Sequence, residues 1–281
     1  MKLNLVHEEK SDIKYKIGRF PDGEPTFEIL SDLGQHIDCV EILTRITCMD
    51  DLFILSLACD ILERWEIKCD VEISYLLTQR MDRVMNMNRP FSLKTMIKFL
   101  ATLNIHRLYI YEVHSKVTNN LYFSIKKRLM FSDGMRKLVT HFAADKTLNA
   151  TVVFPDQGSA KRYQDYFRYK DVVCFEKVRD LESGKILDIK PIDDVSLIRN
   201  KKRFFIIDDL CDGGSTFIKI KEYLTNTFGN DIQVDIVVYH IVNQKGIERL
   251  LENFDNVYTT NSYSDWDKLY SNEKLHVLEI I

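Results

Sequence analysis

The sequence predicts an α/β fold of two tandem domains, each a mainly parallel sheet flanked by helices. Apolar runs of strand length alternate with segments of helical period through most of the chain. The alternation begins again after about residue 145, and 281 residues are many for a single hydrophobic core. We therefore predict one domain at residues 1–145 and a second at residues 146–281.

The first half contains two predicted helices and one predicted strand that are well defined. One helix runs from Asp51 to Trp65, because its apolar residues recur on a single face. A second helix begins at Ser92, the predicted N-cap, and continues with apolar residues at helical spacing. Residues 108–114, Leu-Tyr-Ile-Tyr-Glu-Val-His, predict a buried strand that ends in ionisable residues.

The second half repeats this pattern. Short buried strands are predicted at residues 151–154, 172–175, 204–207 and 232–242. A helix is predicted from Thr216 to Phe228, with Gly229 ending it. Residues 178–200 are polar and contain Gly184 and Pro191, so we interpret them as a long mobile loop.

The composition argues against several classes of protein. The formal net charge is −3, whereas broad attraction to nucleic acid needs a basic surface. No apolar run is long enough for a membrane span, and the N-terminus lacks the apolar run of a signal peptide. The six cysteines form no CxxC pair, which is typical of reduced buried thiols. We predict a cytoplasmic protein that binds neither nucleic acid nor membrane.

The most informative segment is residues 204–216, Phe-Phe-Ile-Ile-Asp-Asp-Leu-Cys-Asp-Gly-Gly-Ser-Thr. A buried strand leads to two adjacent carboxylates, then to a turn of small residues and the start of a helix. Glycines let the backbone approach a phosphate, and the free amides and dipole of a helix N-terminus favour its negative charge. The two acids can hold the hydroxyls of a sugar attached to that phosphate. The alternative is a glycine-rich turn in which the acids only cap the helix.

This segment resembles the ribose-phosphate loop of the phosphoribosyltransferase fold, which transferases and synthetases share. Six further segments, in the same order along the chain, resemble those of the ribose-phosphate pyrophosphokinases. They are Gly18–Glu24, Thr78–Arg83, Arg89–Lys94, Tyr111–His114, Phe154–Gly158 and Phe175–Arg179. The likeness extends from about residue 16 to about residue 260. Because the six segments occur together, they favour the pyrophosphokinases over the transferases.

The resemblance implies two tandem phosphoribosyltransferase-like domains with the reaction at their interface. It implies a Mg²⁺-dependent transfer of the β,γ-diphosphate of ATP to the anomeric hydroxyl of ribose 5-phosphate, with a homo-oligomer as the assembly. ATP is assigned to the first domain, on Phe20, Asp22, Gly23, Glu24 and Arg80. Ribose phosphate is assigned to the second, on Asp208, Asp209, Asp212, Gly213, Gly214, Ser215 and Thr216. The metal is assigned to His114 and Asp156, and catalysis to Lys177 and Arg179.

The sequence also departs from the family. Gly213 stands where the family has a threonine, Met81 replaces a glutamine, and Val84 and Val178 replace basic residues. These changes suggest a second hypothesis, in which the acceptor is a larger 5-substituted ribose such as ADP-ribose, as in NAD salvage. The chain is short at both ends relative to the family, so we expect its first and closing helices to be missing. A phosphoribosyltransferase, a non-catalytic regulatory paralogue and a purely structural α/β protein are the competing interpretations.

Overall fold

The structure is a computed structural model of the chain. It describes the backbone of residues 1–34, 37–125, 129–132, 134–142, 150–167, 171–179, 186–198 and 201–281. Side chains are described in these ranges except at positions 119, 122–125, 129–132, 177–179, 186–187 and 197. The chain packs as two compact units, Met1–Asp133 with Ile281, and Gly134–Ile280.

The first unit is built on a parallel sheet. Its strands are β1 (Lys2–Asn4), β4 (Cys39–Ile46), β5 (Lys68–Leu76), β6 (Arg107–Tyr111) and β7 (Leu129–Ser132). They lie in the order β1-β4-β5-β6-β7, and each neighbouring pair is parallel. An antiparallel hairpin, β2 (Tyr15–Arg19) and β3 (Pro25–Ile29), precedes β4. The helices are α1 (Met49–Arg64), α2 (Ser92–Thr102) and α3 (Lys116–Ile125), and Glu8–Lys10 forms a 3₁₀ turn.

One face of this sheet forms the core of the first unit. Alternate side chains of its strands, among them Val40, Val71 and Leu108, pack in one apolar cluster with buried residues of α1 and α2. Successive residues of a strand point to opposite faces, so the residues between these apolar ones lie on the second face of the sheet. That second face presents half-buried polar residues such as Glu41 and Glu72.

The second unit is built on a longer, mainly parallel sheet. Its strands are β8 (Thr151–Phe154), β9 (Val172–Arg179), β10 (Ile186–Pro191), β11 (Arg203–Cys211), β12 (Gln233–Ile241), β13 (Val257–Thr260) and β14 (Leu275–Leu278). They lie in the order β10-β9-β8-β11-β12-β13-β14. All neighbouring pairs are parallel except β9 and β10.

Helices cover both faces of this second sheet. They are α4 (Gly134–Phe142), α5 (Gln157–Tyr163), α6 (Ser215–Phe228), α7 (Gln244–Asn253) and α8 (Trp266–Leu269), with 3₁₀ turns at Gln164–Phe167 and Val195–Ile198. Ile206 shares an apolar cluster with Ile220 of α6 and Leu250 of α7. On the opposite face, the ring of Tyr258 lies 5.7 Å from that of Phe142 in α4. Thus α4 packs with the second unit, whereas the sequence assigns its residues to the first domain.

Most predicted elements occur in the structure, although the strands predicted at residues 172–175 and 204–207 continue to Arg179 and Cys211, and the strand predicted at residues 108–114 ends at Tyr111. Two predictions are wrong. Residues 178–200 are not a long loop, because Ile186–Pro191 forms β10 and pairs antiparallel with β9. Ser92 is not an N-cap but the first residue of α2, because Phe91 holds the non-helical cap conformation with φ −98° and ψ 78°. No helix among the described residues is long and apolar enough to cross a membrane.

Candidate active site

The turn between β11 and α6 presents backbone amides at the carboxyl edge of the second sheet. Gly214 is the N-cap of α6 with φ 73° and ψ −3°, a left-handed conformation in which a side chain is strained. No side chain caps the first amides of this helix. Open space surrounds the position that a Cβ on Gly213 would take. The turn is therefore an anion-binding concavity formed by the backbone.

Helix α7 holds this turn in place from the side. An ideal Cβ on Gly246 would lie 1.9 Å from the carbonyl oxygen of Asp212, so a glycine is needed for the close approach. Asn243 Nδ2 donates to Asp212 Oδ1 at 3.2 Å. Arg249 Nη1 donates to the carbonyl oxygen of Gly213 at 2.6 Å and to Ser215 Oγ at 2.9 Å. The turn is thus fixed before any anion binds.

The two acids that end β11 have different environments. Asp208 is half-buried, and its Oδ1 accepts from the amide of Asp209 at 3.0 Å. Asp209 is buried, and its Oδ2 lies 3.0 Å from Nη1 of Arg162 in α5. Burial opposes the charge on Arg162, but Asp209 and Tyr163 outweigh it and raise the pKa of this guanidinium above its ordinary value. Asp209 therefore has a structural ion pair as well as its predicted role towards the sugar.

Replacing Asp209 with alanine is expected to lower the free energy of unfolding by about 3 kcal/mol, since the half-buried Arg162 would lose its carboxylate partner. Urea unfolding followed by circular dichroism measures the loss. The matched variant Asp208→Ala removes a half-buried neighbour and is expected to lower affinity for the sugar with little effect on stability. An Asp209→Ala protein as stable as Asp208→Ala would contradict the ion-pair role.

The predicted nucleotide segment forms the tip of the β2–β3 hairpin. The tip is closed by hydrogen bonds between Phe20 and Glu24, at 2.9 Å, and between Gly23 and Phe20, at 2.9 Å. Asp22 Oδ1 accepts from the amide of Glu24 at 3.1 Å. The Phe20 ring is 55% exposed, which is unusual for so large an apolar side chain. The tip thus offers an exposed ring between two exposed carboxylates, Asp22 and Glu24.

Arg80 and His114 follow β5 and β6, two neighbouring parallel strands, so both lie beyond the carboxyl edge of the first sheet. The amide of His114 donates to Gln79 Oε1 at 2.9 Å. Gln79 is 1% exposed, and its Nε2 has no hydrogen-bond partner among the described residues. Gln79 therefore joins the segment that contains Arg80 to the segment that contains His114.

The backbone at this edge is strained next to both segments. Thr78 has φ 76° and Glu112 has φ 41°, both in the left-handed region that such side chains rarely adopt. Such strain is concentrated at functional sites. Close by, hydrogen bonds from Arg83 lower the pKa of the buried Asp82, with smaller contributions from Ser115 and His114. A carboxylate thus stays ionised beside His114.

Asp156 is the N-cap of α5, directly after β8. Its Oδ1 accepts from the amides of Gly158 and Ser159, each at 3.0 Å, and the Ser159 hydroxyl approaches the Asp156 amide at 3.4 Å. This capping box fixes the orientation of the carboxylate. Lys177 and Arg179 are near the end of β9, where their backbones pair with Ile189 and Ile186, and their side chains lie outside the described residues.

Sequence reasoning missed the residues that hold these groups in position: Gln79, Arg162, Asn243, Gly246 and Arg249. The one available signal was Gly246, an isolated glycine within a segment of helical period, which often marks close packing. The predicted residues themselves fall into two groups. The structure brings Asp208, Asp209 and the turn 212–216 together in the second unit, and it places the Phe20 tip, Arg80 and His114 in the first.

Comparison with known proteins relates the whole chain to one group of enzymes. No protein-family model matches it. Ribose-phosphate pyrophosphokinases of Pyrococcus abyssi and Pyrococcus furiosus are 27% and 26% identical to it over 258 and 259 residues. These alignments cover 89% and 90% of this chain, and 84% and 88% of the two relatives. This chain is therefore similar to ribose-phosphate pyrophosphokinases over most of its length.

The fold agrees with this relation to the pyrophosphokinases. The crystal structure of phosphoribosylpyrophosphate synthetase from Mycobacterium smegmatis superimposes with a TM-score of 0.78 at 18% identity. The superposition covers 97% of this chain and 88% of that one. It confirms the predicted fold class, two α/β domains of phosphoribosyltransferase type with mainly parallel sheets.

Proposed function

We propose that this chain transfers the β,γ-diphosphate of ATP to the anomeric hydroxyl of ribose 5-phosphate, giving phosphoribosyl pyrophosphate and AMP. The observation that carries the proposal is the similarity to relatives named pyrophosphokinases, which includes both compact units and 89% of the chain. A phosphoribosyltransferase would account for the turn of residues 208–216 but not for the hairpin tip. A regulatory paralogue would not need the cations at positions 177 and 179.

In this proposal the second unit binds the sugar. Residues 213–216 at the N-terminus of α6 take the 5-phosphate, because the amides and dipole of a helix N-terminus favour negative charge. Asp208 accepts hydrogen bonds from the ribose hydroxyls. Arg249 keeps the turn in its binding conformation through Gly213 and Ser215, so little ordering remains to be done when the sugar binds.

The first unit binds ATP. The exposed ring of Phe20 stacks on adenine, and Asp22 and Glu24 accept hydrogen bonds from the nucleoside. Arg80 is exposed at the strand edge and offers a planar fork for phosphate oxygens. The short turn that carries Phe20 limits the number of conformations that the ring must lose on binding.

His114 of the first unit and Asp156 of the second are each proposed to contact Mg²⁺ that arrives with ATP, because this ion is usually held by one or two protein groups together with substrate phosphates and water. The oriented carboxylate of Asp156 and the Gln79-anchored segment of His114 are suitable for such partial ligation. When bound, Mg²⁺ would neutralise negative charge on the diphosphate. The enzyme's own task is to fix these two side chains in place.

The chemical step needs alignment and charge neutralisation. The anomeric oxygen forms a bond to the β-phosphorus, the bond from that phosphorus to the α-phosphate oxygen breaks, and AMP leaves with the electron pair. The hydroxyl proton passes to solvent. Lys177 and Arg179 stabilise negative charge on the group in transfer, which is the largest contribution a protein can make to such a reaction.

A second acceptor is favoured by one specific observation. Because a Cβ on Gly213 would meet nothing within 4 Å, the turn has room where the family carries a threonine. A larger 5-substituted ribose such as ADP-ribose can use that room. Since the space around that Cβ is open, Gly213→Thr is expected to restore a hydroxyl donor to the turn.

AMP release from ATP and Mg²⁺, with ribose 5-phosphate and ADP-ribose offered separately, tests the proposal. We expect release with one acceptor, and we expect Gly213→Thr to move kcat/KM towards ribose 5-phosphate by about tenfold, the worth of one hydrogen bond. AMP with ADP-ribose alone would select the larger acceptor. If AMP is released with neither sugar, the proposed diphosphate transfer is wrong, and the phosphoribosyltransferase and regulatory interpretations are favoured. The homo-oligomer and the cytoplasmic location remain predictions.

A further inference from the structure

Three side chains of different chemistry meet at the amino edge of the first sheet. Cys39 begins β4, Asp70 is near the start of β5, and His106 immediately precedes β6. Nδ1 of His106 lies 2.7 Å from Oδ1 of Asp70, and the three donor atoms, including Cys39 Sγ, all lie within 4.8 Å of one another. They come from three separate segments, so the fold alone brings them together.

The position of each donor is fixed by its strand. The amide of His106 donates to the carbonyl oxygen of Cys69 at 2.8 Å, which holds the imidazole beside Asp70. Parallel pairing of β4 with β5 sets Cys39 opposite Lys68, two residues from Asp70. Arg107 Nη1 lies 3.9 Å from Oδ2 of Asp70, which leaves Oδ1 directed to His106.

The three side chains are half-buried, on the polar face of the sheet and not in its apolar core. A surface groove lined by Lys68, Asn104 and His106 reaches one member of the cluster, His106.

We propose that Cys39, Asp70 and His106 bind one Zn²⁺ ion, with water as the fourth ligand. Thiolate, imidazole and carboxylate are the usual ligands of zinc, and in tetrahedral sites they stand roughly 3.3–3.6 Å apart. The His106–Asp70 separation of 2.7 Å and the upper limit of 4.8 Å for the other pairs differ from this value by about 1 Å or less, so small side-chain adjustments close the site. Such an ion ties together the amino ends of β4, β5 and β6, three adjacent strands.

This site is separate from the proposed reaction. The candidate nucleotide and magnesium groups follow the carboxyl ends of β5 and β6, whereas the zinc ligands are at the opposite edge of the same sheet. The two sites also differ in chemistry, since Mg²⁺ prefers oxygen ligands and a thiolate site selects zinc. Zinc here stabilises the first unit and takes no part in diphosphate transfer.

Titration of the metal-free full-length chain with Zn²⁺ by calorimetry, and with Co²⁺ by absorption spectroscopy, tests the proposal. We expect one equivalent to bind, a thiolate-to-cobalt charge-transfer band, and a higher midpoint of thermal unfolding with Zn²⁺. Excess Mg²⁺ should not displace the ion. Cys39→Ser and His106→Gln should each abolish the charge-transfer band or weaken binding at least tenfold, the lower limit for loss of a ligand.

The matched control is Cys48→Ser, which removes an exposed thiol elsewhere in the same unit and should leave binding unchanged. Circular dichroism of each variant establishes that it is folded. Absence of binding to the wild-type chain, which needs no variant, overturns the proposal. So does binding that persists in both Cys39→Ser and His106→Gln, or that is lost equally in Cys48→Ser.

Discussion

Replacing Lys177 with alanine is expected to lower turnover by about a thousandfold while leaving the affinity for ATP nearly unchanged. The reason is that a cation directed at charge developing in the transition state acts mainly on the chemical step, at about 10²–10³ per donor. Lys177 lies towards the end of β9, where its backbone pairs with Ile189 of β10. Single-turnover AMP release and equilibrium ATP binding measure the two effects separately.

Lys190→Ala is the matched control for this prediction. Lys190 is an exposed lysine in β10, where it pairs with Glu176, so the substitution removes the same charge from the same strand pair. It should change turnover by less than about threefold, as is usual for an exposed residue away from the chemistry. Equal losses of binding and turnover in Lys177→Ala, or equal losses in both lysine variants, would refute the catalytic role.

The strand β10 also shows where pattern reasoning reaches its limit. Strands such as β8 and β12 could be predicted because they are buried on both faces and therefore mostly apolar. In β10, by contrast, Asp188 and Lys190 are exposed, because this strand forms the edge of the sheet. Edge strands carry charges and proline, and Pro191 ends this one. The polar residues that suggest a loop are, in this strand, residues of a sheet edge, where charges hinder pairing with another chain.

The candidate site also has one part that could be predicted from the sequence and one part that could not. The turn of residues 208–216 could be predicted because strand, acids, glycines and helix are consecutive in the sequence. The contacts that hold it join distant positions, as Arg162 does with Asp209 and Arg249 with Gly213. No periodic pattern records such a pair, because Arg162 and Arg249 alone are ordinary polar residues of helices. Only the packed structure shows that Arg162 pairs with Asp209.

Replacing Gly246 with alanine is expected to lower kcat/KM for the sugar acceptor by about a hundredfold, the cost of misplacing a binding group by about 1 Å. The added Cβ would lie 1.9 Å from the carbonyl oxygen of Asp212, which is backbone and cannot rotate away. The turn that presents the phosphate-binding amides must therefore shift. Stability should fall too, although Gly→Ala within an unhindered helix raises it by about 0.5–1 kcal/mol.

Gly246→Ala is informative because it should lower stability, whereas the same substitution in an unhindered helix raises it. Lys245→Ala is the matched control, since it also introduces alanine into the first turn of α7 but at an exposed position. The control should leave both the acceptor kinetics and the midpoint of unfolding unchanged. The affinity for ATP, assigned to the first unit, should be unaffected by either variant. A Gly246→Ala protein that is more stable and fully active would show that α7 does not hold the turn, and the phosphate-binding role of residues 212–216 would then lose its structural basis.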